Sequence, residues 1–258
     1  MQADSKAEAP CSRRGANAAV SQRVRFSHVD AAGIVFYPRY VEMIVNAYPE
    51  IGQGLSGRRL QFEFRNPAKL GESLSLQPAQ NDDEFAIRAS ARDETIFEFQ
   101  FGYAEHDQPA AMQAADVAGS YSVHGTVGSW MAGPGGQMHL SRYYELLSDT
   151  VEDWFTDELE CSFADLRAQQ GVGVPTVKLD SVIFGLPGDG SSFKMNLGLM
   201  RIGNRSITLE HRLISGAELL IRTQQVLVLV AHHEAAISSI PIPVELKEKL
   251  RVFYGAVL

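Results

Sequence analysis

Several segments of the chain read as β-strands, in which alternate residues lie on the same face. In residues 22–27, Val24 and Phe26 share a face, so a strand is predicted there. A helix is predicted to begin near Pro38, because a proline in the first helical turn loses no hydrogen bond. Further strands are predicted at residues 60–64, 73–77, 85–91 and 95–103.

The same order of elements returns in the second part of the chain. A strand is predicted at residues 121–130 and a helix at 141–158, with Ser141 as its N-cap and Glu145 near the position of a capping-box acid. Four strands follow at residues 176–184, 193–200, 206–215 and 219–231. Each block therefore predicts an α+β fold, in which a long helix packs on an antiparallel sheet.

A short motif occurs twice. Arg-Tyr-x-Glu followed by two apolar residues begins at Arg39 and again at Arg142, 103 positions later, and a glycine precedes each copy at the same distance (Gly33 and Gly136). A second landmark pairs residues 64–67 with 184–187 at an offset of 120, so the second copy is expected to be 17 residues longer between the landmarks. We therefore predict two tandem domains whose sheets pair edge to edge.

The predicted organisation has four parts. Residues 1–20, which are small and polar, form a disordered tail, and residues 105–118 form a polar linker. The first domain spans residues 21–104 and the second spans 119–258. The aromatic residues Trp130, Trp154 and Phe155 are expected in the core.

Composition excludes several classes of protein. With 45% hydrophobic residues the chain can build a core, and its net charge of −8 argues against a nucleic-acid partner. Two cysteines do not make a disulfide framework, and they fit a reducing compartment. No apolar run approaches the roughly 18 residues of a membrane span, and the N-terminus has no signal-like segment. We therefore expect a cytoplasmic protein without a membrane partner.

A carboxylate precedes the first predicted helix on a turn of small residues. Asp30 is followed by Ala31, Ala32 and Gly33, and then by the apolar start of the helix. The N–H groups at a helix N-terminus suit a developing oxyanion, and a neighbouring carboxylate can act as a general base or as a nucleophile. The alternative is structural: Asp30 caps the turn, while Gly33 supplies a left-handed conformation.

Residues 30–40, Asp-Ala-Ala-Gly-Ile-Val-Phe-Tyr-Pro-Arg-Tyr, resemble the motif of the 4-hydroxybenzoyl-CoA thioesterase branch of the hotdog-fold acyl-CoA thioesterases. The resemblance implies that Asp30 is the catalytic carboxylate, that the Tyr37 backbone N–H polarises the thioester carbonyl, and that Gly33 is the turn glycine. His28 stands where the family often has an earlier acid, and His28 and Pro38 are candidate substrate-binding residues. The implied fold is a tandem hotdog.

The second copy resembles the family without its acid, because Gly133 stands at the position that matches Asp30. One competent site per chain is therefore expected, with the second copy lining the acyl pocket or holding CoA. Arginines suit the phosphates of CoA. The candidates are Arg201, Arg205 and Ser206 in the second copy, and Arg88 and Arg92 in the first. Two such chains are expected to be able to form a homodimer.

The implied activity is hydrolysis of an acyl-CoA thioester to a carboxylic acid and CoA. No metal or other cofactor is expected, since the adjacent His232 and His233 would point to opposite faces of a strand. The acyl group stays open between an aromatic and a medium-chain fatty group. The alternatives are a hotdog hydratase or dehydratase and a non-catalytic acyl-CoA or acyl-carrier binding module. The thioesterase hypothesis requires Asp30 to lie at the junction of the two copies.

Overall fold

The computed structural model describes residues 18–80, 84–104, 120–133, 135–233 and 236–255. The helices in these ranges are α1 (Tyr37–Ala47), α2 (Leu140–Asp157), α3 (Phe163–Gln170) and α4 (Val244–Gly255). The strands of the first half are β1 (Val20–Arg23), β2 (Arg58–Phe64), β3 (Ser73–Gln80), β4 (Phe85–Ala91) and β5 (Glu94–Tyr103). Those of the second half are β6 (Tyr121–Thr126), β7 (Val172–Gly173), β8 (Thr176–Ile183), β9 (Ser192–Ile202), β10 (Ser206–Ser215), β11 (Glu218–Val228), β12 (Val230–His233) and β13 (Ala236–Ser239).

Ten strands form one antiparallel sheet in the order β1-β3-β4-β5-β2-β8-β11-β10-β9-β6. Five consecutive strands come from each half, and the two sets meet where β2 pairs with β8. Strands β13, β12 and β7 form a separate small sheet. The expected α+β architecture, with two helix-on-sheet copies paired within one chain, is confirmed.

The junction between the halves is a complete antiparallel ladder. Arg58 lies opposite Ile183, and Gln61 lies opposite Asp180 near the middle of the pairing. The Gln61 side-chain amide donates a hydrogen bond to Asp180 over 2.9 Å. The Arg59 guanidinium donates two hydrogen bonds to the same carboxylate, over 2.8 and 2.6 Å. The junction therefore pairs two strands that would otherwise be exposed edges.

Backbone hydrogen bonds confirm the repeat at its first landmark. The Asp30 N–H donates to the Ile34 carbonyl over 2.9 Å, and the Gly133 N–H donates to the Gln137 carbonyl over 2.8 Å. The two turns are thus built alike, 103 positions apart.

At the second landmark the structural correspondence differs from the predicted one by one residue. The Val35 N–H donates to Ala68 O, whereas the Met138 N–H in the second half donates to Pro187 O. The structural offset in this part is therefore 119, and Pro187 occupies the place of Ala68 rather than that of Pro67. Pro67 and Pro187 therefore do not occupy equivalent places, and the second half has sixteen additional residues between the landmarks instead of the predicted 17.

The core lies between the helices and one face of the sheet, and it is continuous across the junction. Phe62 on β2 is fully buried, and its ring lies 6.0 Å from that of Tyr144 on α2. Trp154 and Phe155 on α2 are also fully buried, as predicted.

Two predicted strands are too long, because the chain leaves the sheet earlier than the alternating pattern indicates. One-turn 3₁₀ helices replace their ends at Phe26–His28 and Ser129–Met131. Phe26 is consequently 82% exposed, and Trp130 is 70% exposed, so the prediction that Trp130 lies in the core is wrong. The Arg142 guanidinium lies 5.7 Å from the centre of the Trp130 ring.

The capping of α2 also differs from the prediction. His139 is the N-cap, and its Nδ1 accepts a hydrogen bond from the Ser141 N–H over 3.3 Å. Glu145 instead pairs with Arg142 on its own helix and with Arg39 of α1, 2.9 Å away. The predicted linker at 105–118, most of the predicted tail at 1–20, and the side chains of His232 and His233 lie outside the described residues.

We expect replacement of Phe62 by alanine to lower the free energy of unfolding of the whole chain by about 3–5 kcal/mol, because it empties a packed site beside the junction. The measurement is urea unfolding followed by the fluorescence of Trp154, which lies in the second half, whereas Phe62 lies in the first. Trp130 is replaced by Phe in all proteins compared, so that Trp154 alone gives the signal. Phe26→Ala is the matched control, since Phe26 is 82% exposed. An unchanged Trp154 transition in the Phe62 variant would mean that the halves unfold independently.

Candidate active site

Asp30 sits in a tight turn that its own carboxylate stabilises. Its Oδ1 accepts hydrogen bonds from the Ala32 N–H over 2.7 Å and from the Ile34 N–H over 3.4 Å. Gly33 adopts φ +73°, a left-handed conformation that strains other residues. One oxygen of the Asp30 carboxylate therefore caps the turn, as the structural alternative in the sequence analysis describes. Among the described residues nothing hydrogen-bonds to Oδ2, so this oxygen is free to react.

The N-terminus of α1 follows this turn directly. Tyr37 is the first helical residue, so its backbone N–H has no acceptor within the helix, and Pro38 follows it without an N–H. The Tyr37 hydroxyl donates a hydrogen bond to the Tyr144 carbonyl over 3.1 Å, which ties this helix end to α2. Burial raises the pKa of Tyr37 far above its ordinary value and keeps the phenol neutral.

A cavity of about 550 Å³ lies at the junction between the halves. The first half contributes Asp30, Tyr37 and Phe64 to its lining, and the second half contributes residues from α2, α3 and the beginning of β8. Asp30 is exposed at the mouth, whereas apolar side chains such as Leu227 line the interior. The candidate carboxylate therefore does lie at the junction, on the rim of the cavity.

The sixteen additional residues of the second half build one wall of this cavity. Seven of them lengthen α2, and the others enlarge the connection that follows it, where α3 and β7 contribute Phe163, Arg167 and Val172 to the lining. The first half has only the short connection 48–57 at the corresponding place. There the Ser56 hydroxyl and the Gly57 N–H donate to the Phe184 and Ile183 carbonyls, both over 2.8 Å, so this connection lies directly on the other half.

Charged residues surround the mouth. Arg167 of α3 donates to the Ala31 carbonyl in the Asp30 turn over 3.5 Å. Arg65, which also lines the cavity, pairs with Glu63 and Glu98. These two arginines follow no motif, and only the folded chain brings them to the candidate site.

A second acid lines the cavity from α2. Burial, followed by the repulsion of Glu145, Asp153 and Glu152, raises the pKa of Asp149 above its ordinary value. No feature of the sequence distinguishes Asp149 from the other acids of this helix.

Two candidate residues near the turn point elsewhere. The His28 side chain accepts a hydrogen bond from the Arg25 N–H over 3.1 Å, and burial is the main cause of its lowered pKa. Pro38 is buried in the first turn of α1. Neither is among the described residues that line the cavity.

The predicted CoA-binding arginines are not at the mouth either. Arg201 and Ser206 belong to the hairpin of β9 and β10, outside the described lining. Arg205 donates to the carbonyl and hydroxyl of Ser239 over 2.6 and 3.1 Å, and Ser239 does line the cavity. Arg88 and Arg92 of the first half pair with neighbouring acids, Arg88 with Glu98 and Arg92 with Glu72 and Glu94.

The deep end of the cavity is polar. Gln225 lines the cavity although only 1% of its surface is exposed. Its amide nitrogen donates to the hydroxyl of Thr176, another lining residue, over 2.8 Å. Its oxygen lies 2.9 Å from Nε2 of His211, a fully buried side chain. Sequence reasoning missed this trio, because its members come from three strands.

The second turn, around Gly133, has no carboxylate, as the sequence indicates. The residue at the helix entrance there is His139, whose Nδ1 lies 2.8 Å from the Ser141 hydroxyl. Burial is the main cause of the lowered pKa of His139.

Among the described residues, no three or more histidine, cysteine or acidic side chains are grouped so that they could hold a metal ion. Within the same ranges, no helix combines the length and the apolar character that crossing a bilayer requires.

Solved structures share the architecture. A protein described as an oleoyl thioesterase from Lactobacillus plantarum aligns with a TM-score of 0.61 at 12% identity, covering 83% of this chain and 98% of its own. An acyl-ACP thioesterase from Bacteroides thetaiotaomicron gives 0.56 at 13% identity, with coverages of 81% and 97%. The SAV2348 protein of Staphylococcus aureus, solved in complex with CoA, gives 0.50 at 16% identity, with coverages of 55% and 88%.

These likenesses establish the fold: the chain is a tandem hotdog protein, as the resemblance of residues 30–40 implied. No protein-family model matches the sequence, and no curated protein matches it.

We expect His211 to make the protein sensitive to acid. Burial lowers the pKa of His211 from 6.5 to about 4. Between pH 6.5 and about pH 4, His211 therefore binds a proton in the unfolded chain but stays neutral in the folded chain. Stability is therefore complete above pH 6.5 and falls as the pH drops toward 4, by up to about 3 kcal/mol from this residue.

Urea unfolding of the wild type and of His211→Gln, at about pH 8 and about pH 5, tests this. The difference in unfolding free energy between the two proteins is expected to shift in favour of the variant at the lower pH. The measurement at the higher pH is the control, since both side chains are then neutral. The same pH dependence in both proteins would contradict the expectation.

Proposed function

We propose that this protein hydrolyses acyl-CoA thioesters, with one active site per chain. The observation that supports this most directly is the arrangement at the junction. A carboxylate with one free oxygen and the N-terminus of α1 both line one largely apolar cavity, and the two halves build that cavity together.

The cavity has an apolar interior that suits an acyl group and a charged mouth that suits CoA. Its volume of about 550 Å³ lies within the roughly 300–1,000 Å³ of ligand pockets, and its interior is mainly apolar. In the proposal the acyl group enters this interior and the thioester stops at the mouth, beside Asp30. Arg167 and Arg65 are the cations of the lining and are candidates to meet the CoA phosphates.

Two groups act on the thioester. Asp30 Oδ2 either removes a proton from a water molecule or attacks the carbonyl carbon itself. In both routes the carbonyl oxygen becomes negative and is stabilised by the Tyr37 N–H at the positive end of α1. The carbon–sulfur bond then breaks and CoA leaves as a thiolate. In the second route water subsequently hydrolyses the Asp30 anhydride.

The solved structures named above support this class of activity, since two of them are described as thioesterases and a third contains CoA. A hydratase with a catalytic histidine finds less support, because no histidine is among the described residues lining the cavity. A binding module without activity finds less support because Oδ2 of Asp30 is free at the mouth.

Replacing Asp30 by asparagine is expected to lower kcat/KM for acyl-CoA hydrolysis by about 10²–10⁴-fold. Asparagine keeps the oxygen that accepts from Ala32 and Ile34, so the turn is retained while the negative charge is lost. Release of CoA is measured with a thiol reagent on a panel of aryl, medium-chain and long-chain acyl-CoAs.

Asp153→Asn is the matched control. Asp153 is an exposed acid of α2 that does not line the cavity. We therefore expect kcat/KM of the Asp153→Asn variant to stay within about twofold of the wild-type value. No thiol release from any member of the panel, with tight binding retained, would replace the proposal by a binding module. Full activity of Asp30→Asn would remove Asp30 from the mechanism.

The two routes differ in where oxygen goes. In a single turnover in ¹⁸O-labelled water, label in the Asp30 carboxylate identifies attack by Asp30 followed by opening of the anhydride at the Asp30 carbonyl carbon, whereas general-base catalysis places the label only in the released acid. Mass spectrometry of the peptide containing residues 30–39 distinguishes these results.

A further inference from the structure

His211 of the polar trio belongs to a row of polar side chains that the first half replaces by apolar ones. Within the second half, His211, Thr223 and Ser181 lie opposite one another across three neighbouring strands. The corresponding row of the first half consists of Ile87, Phe99 and Phe62. The first half of the sheet thus carries aliphatic and aromatic side chains at the places where the second half carries hydrogen-bonding ones.

Part of this polar row is explained by the helix above it. The Tyr143 hydroxyl lies 2.7 Å from the Thr223 hydroxyl, and the Tyr144 hydroxyl donates to Ser181 over 2.8 Å. These groups satisfy one another inside the core. Gln225 and His211 take no part in these hydrogen bonds between α2 and the sheet.

Gln225 and Thr176 are left with unused donors. The Gln225 amide nitrogen has two protons, and one of them goes to Thr176. The Thr176 hydroxyl accepts that bond, and its own proton finds no acceptor among the described residues. Both side chains line the cavity, and neither of these remaining donors has an acceptor among the described residues.

His211 fixes the amide in this orientation. Because the Gln225 oxygen is an acceptor, His211 must donate from Nε2, which makes Nδ1 a bare acceptor. Nδ1 is buried and has no hydrogen-bond partner among the described residues. An unpaired buried polar atom destabilises the folded state, and an apolar residue such as Ile87 at this place would avoid that loss. The trio is therefore poorly explained as a contribution to stability.

From this geometry we propose that the acyl group carries an oxygen, as a hydroxyl or a carbonyl, which accepts hydrogen bonds from Gln225 and Thr176. Gln225 is then a specificity-determining residue that selects oxygenated acyl groups against plain hydrocarbon ones. The inference rests on the proposed thioesterase function and adds the class of acyl group. A hydrocarbon in the same place would leave both donors buried and unpaired, which is how such sites reject it.

The test compares pairs of substrates that differ by one oxygen. Octanoyl-CoA is compared with ω-hydroxyoctanoyl-CoA and 3-oxooctanoyl-CoA, and benzoyl-CoA with 4-hydroxybenzoyl-CoA, so that chains and rings are examined separately. The wild type is expected to prefer at least one oxygenated member over its plain partner by about 10- to 100-fold in kcat/KM. Equal rates in every pair would overturn the inference while leaving the thioesterase proposal intact.

Gln225→Leu is expected to reduce this preference at least about tenfold, by slowing the oxygenated substrate and accelerating the plain one. Gln224→Leu is the matched control, because Gln224 is the exposed neighbour on the same strand and does not line the cavity. Thr176→Val removes the other donor and provides the same readout if the Gln225 variant does not fold. A preference unchanged in the folded variants would overturn the inference.

Binding separates this inference from the proposed activity. Calorimetry with Asp30→Asn and the same acyl-CoAs measures affinity without turnover, so it remains informative even if no thioester is cleaved. Tighter binding of an oxygenated member, lost in Asp30→Asn combined with Gln225→Leu, supports the inference. Equal binding of all members, or binding of none, overturns it.

Discussion

The antiparallel pairing of β2 with β8 is the constraint on which the rest of the structure depends. It joins two five-stranded sheets into one and fixes how α1 lies beside α2. Because alternate residues of a strand face opposite sides, a shift of one residue here would turn Phe62 away from the core and Gln61 into it. The same register sets the N-terminus of α1 against the second half, and so places Asp30 on the rim of a cavity that lies largely in the other copy.

The two copies share a scaffold and differ in what they add to it. The first copy keeps the acid, in a turn whose hydrogen bonds are reproduced around Gly133 without it. The second copy has the sixteen additional residues that wall the cavity and the polar side chains, above all Gln225, at its deep end. In the proposed function the first half therefore supplies the chemistry, while the second half receives the acyl group.

Much of the fold could be predicted from the sequence, because several strands alternate between residues that face the core and residues that do not, as β2 and β11 do. The strands predicted at 85–91 and 206–215 have the bounds that the structure shows, and the repeated motif revealed the duplication. The pattern failed where side chains leave the sheet, as at Trp130, since periodicity does not show where a strand ends. It also missed α3, which has only eight residues and a mixed polar surface. The Asp30 turn could be found because its residues are consecutive. Gln225 could not, because its importance comes from neighbours distant in sequence.

Covalent fusion of unequal halves changes how the site responds to dilution. A cleft formed by two separate subunits exists only while those subunits stay associated, so its population falls with protein concentration by mass action. Here the ladder between β2 and β8 forms within one polypeptide, and the effective concentration of each half near the other is set by the chain itself. Because the two halves of each pair are joined in one chain, every pair combines one turn that carries Asp30 with one turn, around Gly133, that carries no acid.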